Sequence, residues 1–129
     1  IAKIRSQEES KTPGEADLIA RIDELLTELA PEITERPVSV TWRAMRERWG
    51  SCTSVDRSIR ISDRLKLAPD YALDYVLFHE ALHLQYFDHG PQFTEALARF
   101  EDSELASAYL DGYEAAERSL LAPVELEKI

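Results

Sequence analysis

The chain has 129 residues, 44% of them hydrophobic and 31% charged, which is enough to bury a core without disulfide or metal staples. Lys plus Arg number 15 against 25 Asp plus Glu, a net charge of −10, which argues against nucleic acid as the main partner because cationic side chains supply most non-specific affinity for phosphate. No apolar run approaches the ~20 residues that cross a bilayer, and the one cysteine, Cys52, cannot form an internal disulfide, so a soluble, cytoplasmic monomer is the expectation.

Residues 1–13 are polar and expected to be loosely held, as is the tail 123–129 after Pro123. Pro13-Gly14 marks a boundary. Leu18, Ile22, Leu25 and Leu29, with Ile19 and Leu26, recur at helical spacing and predict an amphipathic helix over 15–30, stopped by Pro31. Val38, Val40 and Trp42 then alternate with Ser39 and Thr41, a strand pattern. Arg48 to Thr53 reads as a second strand in which Gly50 permits a bulge or a close backbone approach. After a turn at Ser54–Arg57, Ser58 to Ser62 alternates again with Ile59 and Ile61 on one face. Cys52 is expected to be a half-buried strand residue and Trp49 a core residue.

Ala68-Pro69-Asp70 opens a second helix, with Asp70 favourable to the helix dipole, and the helix is expected to run to about Tyr86. Gly90-Pro91 both stops the chain and restarts it, and Phe93, Leu97 and Phe100 carry a third helix. Ser103 can cap a fourth, with Leu105, Tyr109, Gly112 or Tyr113, Ala116 and Leu120 as its stripe. The expected product is one α+β domain over 1–129: a small three-stranded, mostly antiparallel sheet on a central helix, with further helices at both termini.

All three histidines lie within eleven residues, as His79-Glu80-Ala81-Leu82-His83 followed by His89. Residues four apart share a helix face, about 6 Å apart along the axis, so His79 and His83 can converge on one ion. Zinc takes His nitrogens at about 2.0–2.1 Å, and a catalytic site keeps three protein ligands and a water. A third ligand further along the same helix would rotate away; Asp88-His89-Gly90-Pro91 supplies the break that lets His89 swing back. Glu80 points about 100° around the helix from His79, beside the metal rather than onto it. Zinc lowers the pKa of its water to about 7, and Glu80 is placed to take that proton and deliver it to a leaving amine. Asp88, Glu95, Glu101 and Glu104 are weaker candidates for orienting a histidine or completing the site. For them a solvated face is the simpler reading.

Arg48-Trp49-Gly50-Ser51-Cys52, Ile59-Arg60-Ile61, and His79-Glu80-x-x-His83 with His89, Gly90-Pro91 and Phe93 together resemble the YgjP-like metallopeptidases, relatives of the SprT and WLM zincins. The likeness covers about Val38 to Phe100. It implies a minimal zincin-like fold, one zinc ion on His79, His83 and His89, Glu80 as catalytic base, and an extended peptide or unfolded protein bound along an edge strand. Either the Arg48–Cys52 strand or the Ser58–Ser62 strand fits that role. Ala81-Leu82 inside the motif and Thr94 after Phe93 depart from the commoner family residues and bear on pocket shape. Tyr86 stands where metzincins require glycine, which separates the chain from that group.

Three other functions compete with zinc-dependent peptide hydrolysis. A non-catalytic zinc-binding interaction domain has no use for Glu80. A DNA-associated protease of SprT or WLM type needs the basic stretch Arg43–Lys66 to form one exposed patch. A hydrolase of another amide or ester could use the same metal. Tyr86, Tyr109, Tyr113, Arg48 and Arg60 are candidates for stabilising the transition state. The tyrosines fit helix-seam packing better, and strand arginines more often pair with surface carboxylates.

Overall fold

The structure, a computed structural model, describes residues 12–121. Of the stretches expected to be loose, 1–11 and 123–129 lie outside the described residues. Pro13 does not fit that expectation: it is buried, and its carbonyl accepts a hydrogen bond from the Trp42 indole N–H at 3.0 Å.

Helix α1 (Glu15–Leu29) starts at Gly14, whose N–H donates to the Asp17 carboxylate at 3.1 Å. That bond satisfies one of the donors a helix start leaves open, and Glu15 and Asp17 complement the dipole there. Leu18, Ile22 and Leu26 are fully buried along one face. Strands β1 (Ser39–Arg43), β2 (Gly50–Thr53) and β3 (Ser58–Ser62) follow. Val40, Ile59 and Ile61 point into the core, as their alternation requires. Val38, expected on the same face, falls just before β1 and is 63% exposed.

The strand order is β1–β3–β2. β2 pairs with β3 antiparallel, Gly50 opposite Ile61 and Thr53 opposite Ser58. β1 pairs with β3 in parallel, Ser39 opposite Ser58 and Arg43 opposite Ser62. The sheet is therefore mixed, with one parallel pair, where a mostly antiparallel one was expected. The chain leaving β1 reverses through 44–49 into β2. The tight 54–57 turn, with Arg57 at φ 55, then lays β3 into the gap between them. Central β3 is paired on both sides and cannot be an edge; β2 is an edge.

Helix α2 (Asp70–Leu82) lies at the centre. Ala72, Leu73, Val76, Leu77, Phe78, Ala81 and Leu82 are all buried, a helix apolar nearly all round and covered on every side. It packs against α1, β2, β3, α3 (Pro91–Leu97) and α4 (Ser103–Leu121). No helix among the described residues is long and apolar enough to cross a membrane.

Candidate metal centre

Helix α2 carries His79 in its last turn and ends at Leu82, with His83 as its C-cap, four residues short of the expected Tyr86. The reason is local: after Leu82 the chain tightens into three-residue turns, with His83, Leu84 and Gln85 N–H donating to Glu80, Ala81 and Leu82 carbonyls at 3.0–3.1 Å. Asp88 then closes a turn by accepting the Gly90 N–H at 3.0 Å. Gly90 precedes Pro91 at the start of α3. The reversal returns His89 to the other two histidines, with ring centroids 5.4 Å from His79 and 4.8 Å from His83.

One ligand atom from each of His79, His83 and His89 lies within 4.8 Å of the others. The His83 Nδ1–H donates to the Tyr86 carbonyl at 2.9 Å, which fixes the tautomer and leaves Nε2 with a bare lone pair. Burial holds the His83 pKa below the ordinary histidine value, outweighing the upward pull of the Tyr86 carbonyl, so the ring is neutral at pH 7. Its Nε2 faces Nε2 of His89 at 3.1 Å. Two nitrogens bound to a common tetrahedral ion stand roughly 3.3 Å apart, so the observed spacing suits a shared cation. His79 Nδ1 lies 3.3 Å from Glu80 Oε2 but out of hydrogen-bonding alignment, and it is buried without a hydrogen-bond partner. Three imidazole ligand atoms converging this closely fit a metal, and the donor set fits zinc.

Glu80 is 7% exposed and stands between two cavities. One, of about 330 Å³, is lined by Tyr75, His79 and Leu110 among others. The second, of about 350 Å³, is lined by Cys52, His83, Phe87 and His89 among others. Gly50, at the start of edge strand β2, belongs to both.

The remaining candidates separate cleanly. Asp88 serves the turn, Glu95 is held by Arg99 at 2.7 Å, and Glu101 and Glu104 are exposed; none joins the histidine group. Tyr86 donates to Glu32 at 2.6 Å. Tyr109 packs on Tyr71 at 6.4 Å, and Tyr113 on Trp49 at 5.4 Å; none of the three candidate tyrosines lines either cavity. Arg60 is spent on the Ser51, Ser58 and Thr53 hydroxyls at 2.7–2.9 Å. Cys52 is half-buried as expected, and burial with the nearby Glu80 charge pushes its thiol up to about 11. Trp49 is only half-buried; its indole N–H donates to Glu114 at 2.7 Å. Within the basic segment, Arg57 pairs with Glu35, Arg64 is buried, and Arg60 is occupied, whereas Arg43, Arg46, Arg48 and Lys66 are exposed.

Three side chains have contacts around the site that the sequence reading did not assign, Phe93 having been read only as a motif and helix residue. Phe93, 3% exposed, packs against all three imidazoles at 4.7–4.9 Å between centroids. Tyr75, one turn before His79, has its ring 6.4 Å from that imidazole and lines the first cavity. Buried Arg64 lies 3.8 Å over the Trp49 ring and donates to the Arg48 carbonyl at 2.9 Å. The place of Phe93 in the first turn of α3, just after the His89-Gly90-Pro91 break, was the one available signal among the three.

A central helix bearing paired histidines, a third histidine returned by a turn, and an edge strand alongside are the marks of a zincin-type metallopeptidase. The chain belongs to the YgjP-like family, whose metallopeptidase domain matches residues 7–112. Among solved structures it is similar to the metallopeptidase zymogen jannalysin of Methanocaldococcus jannaschii, with a TM-score of 0.59 and 19% identity over 77% of this chain and 96% of that one. At that identity the likeness speaks for the fold. No curated protein matches the chain.

Proposed function

We propose that the protein is a zinc-dependent peptidase in which His79, His83 and His89 hold one zinc ion and Glu80 is the general base. The observation that carries this reading is the convergence of three imidazole ligand atoms within 4.8 Å, with the buried Glu80 carboxylate beside His79. A bound zinc ion would supply Lewis acidity to the attacking water and the carbonyl. Glu80 takes one proton from the water as its oxygen bonds to the carbonyl carbon. The C–N bond then breaks, and Glu80 returns the proton to the departing amine nitrogen. The second water proton stays on the new carboxyl group until it ionises.

Edge strand β2 would hold the substrate by backbone pairing, as an extended peptide or a segment of unfolded protein. Alternate side chains of such a peptide would enter the two cavities beside Glu80. The unpaired thiol of Cys52 fits a reducing cytoplasm, and a monomer suffices, because every residue of the site comes from one chain.

Metal analysis of the purified protein, paired with cleavage of a denatured protein by wild type and Glu80→Gln, tests the reading. Stoichiometric zinc in both, with hydrolysis by the wild type alone, is expected. Zinc without hydrolysis in either would make the protein a binding module. Absence of bound metal would remove the site itself.

A further inference from the structure

We propose that Arg48 stabilises the negative charge developing on the carbonyl oxygen of the peptide bond under attack. The inference rests on the peptidase reading and adds a residue to it. Three residues line both cavities: Arg48, Gly50 and Glu80. A group common to both stands at their junction, where a peptide running through both would place its reacting bond. Glu80 there is the base, and Gly50 leaves room. Arg48 is the one arginine or lysine lining either cavity.

Its charge is uncommitted. Arg48 is exposed, and no carboxylate among the described residues lies within ion-pair distance of it, unlike Arg57 or Arg99. Its backbone, by contrast, is firmly held. The Arg48 carbonyl accepts from Arg64 Nη2 at 2.9 Å, and the next carbonyl, of Trp49, accepts the Ser62 N–H at 2.9 Å. Arg64 is itself fixed by Ser62 and Glu117, each at 2.9 Å. The protein thus uses one buried arginine to brace the root of an unpaired one at the mouth of the site. A cation on a fixed stem at the junction of the two cavities is within the region where charge develops, the kind of placement that stabilises an oxyanion.

The test uses zinc-loaded wild type, Arg48→Ala and Arg48→Lys, with unchanged zinc content and melting temperature as controls. Steady-state cleavage should show kcat falling roughly 100-fold in Arg48→Ala, with KM moving less than about 3-fold and Lys restoring part of the loss. In parallel, calorimetry with a phosphinic peptide, whose tetrahedral anion mimics the developing charge, should show weaker binding to Arg48→Ala. The matching product peptide should bind both proteins alike. A rise in KM at constant kcat would make Arg48 an anchor for a substrate carboxylate and overturn the proposal. If the wild type cleaves nothing, the peptidase reading fails separately, and the phosphinate still decides. Equal phosphinate binding by wild type and Arg48→Ala, or none by either, overturns the role of Arg48.

Discussion

Gly50 on β2 and Glu80 on α2 compete for one space: a Cβ on Gly50 would stand 2.9 Å from Glu80 Cγ and 3.1 Å from the Arg60 carbonyl oxygen. The Glu80 side chain can swing, but the Arg60 backbone belongs to central strand β3 and cannot. Gly50→Ala is therefore expected to cost about 1–3 kcal/mol by overpacking and to push the Glu80 carboxylate off its position. Denaturant unfolding should show the destabilisation. Cleavage should fall by more than the folded fraction does, while zinc binding persists. Full activity in Gly50→Ala would show that the approach of β2 to Glu80 is not needed.

Phe93 is the common wall of the three imidazoles. Phe93→Ala is expected to destabilise by roughly 3–5 kcal/mol through the cavity it leaves, so Phe93→Leu is the cleaner probe. With the flat wall gone, the rings gain rotational freedom, and zinc affinity should drop about 10-fold, a magnitude comparable to the loss of an orienting partner. A competition titration against a chelator measures it; unaltered affinity in a folded Phe93→Leu protein would remove Phe93 from the site.

Cys52 gives a readout that needs no substrate. Burial and the Glu80 charge both oppose its thiolate and push the pKa up to about 11. At pH 8 alkylation by iodoacetamide should run on the order of 100-fold slower than for an ordinary thiol, because the thiolate is the reacting species. The rate should climb with pH until about 11. Removing a neighbouring negative charge favours thiolate, so Glu80→Gln should lower that pKa and speed alkylation at pH 8. A rate unchanged in Glu80→Gln would show that the thiol does not sense Glu80.

Arg64 joins the sheet, the Arg48–Trp49 segment and α4 through Ser62, the Arg48 carbonyl, Glu117 and the Trp49 ring. Arg64→Ala strips those groups of a partner in a dry setting and should cost about 2–4 kcal/mol. Arg64→Lys should recover little, because an ammonium can neither fork to several acceptors nor lie flat on an indole. Thermal melts of the two variants test this; a lysine variant as stable as wild type would mean that charge alone matters.

What could be read from the amino acids was what depends on near neighbours in the chain. The histidine spacing, the apolar stripe of α1 and the turn at Asp88-Gly90 are local, and helix geometry turns each into a position. The pairing of β1 with β3 was not legible, because alternation in Val40 and Ile59 gives a face and not a direction. The end of α2 was missed because Gln85 and Tyr86 are compatible with a helix, whereas the His83–Tyr86 hydrogen bond belongs to a tighter turn. Arg64 meets Arg48 and Glu117, 16 and 53 positions away, and no periodicity announces such contacts. The convergence of the three histidines was expected from their spacing; the aromatic wall behind them was not.

Among the described residues strand β2 has one neighbour, β3, and its other row of backbone donors and acceptors is unpaired within the sheet. Such a row accepts any extended chain, including the same strand from a second molecule. The strand is only four residues long, too little for lasting self-association. At a net charge of −10 per chain, approaching copies also repel one another. That repulsion weakens with added salt, so concentrated protein at high ionic strength is the condition under which a second molecule competes for β2.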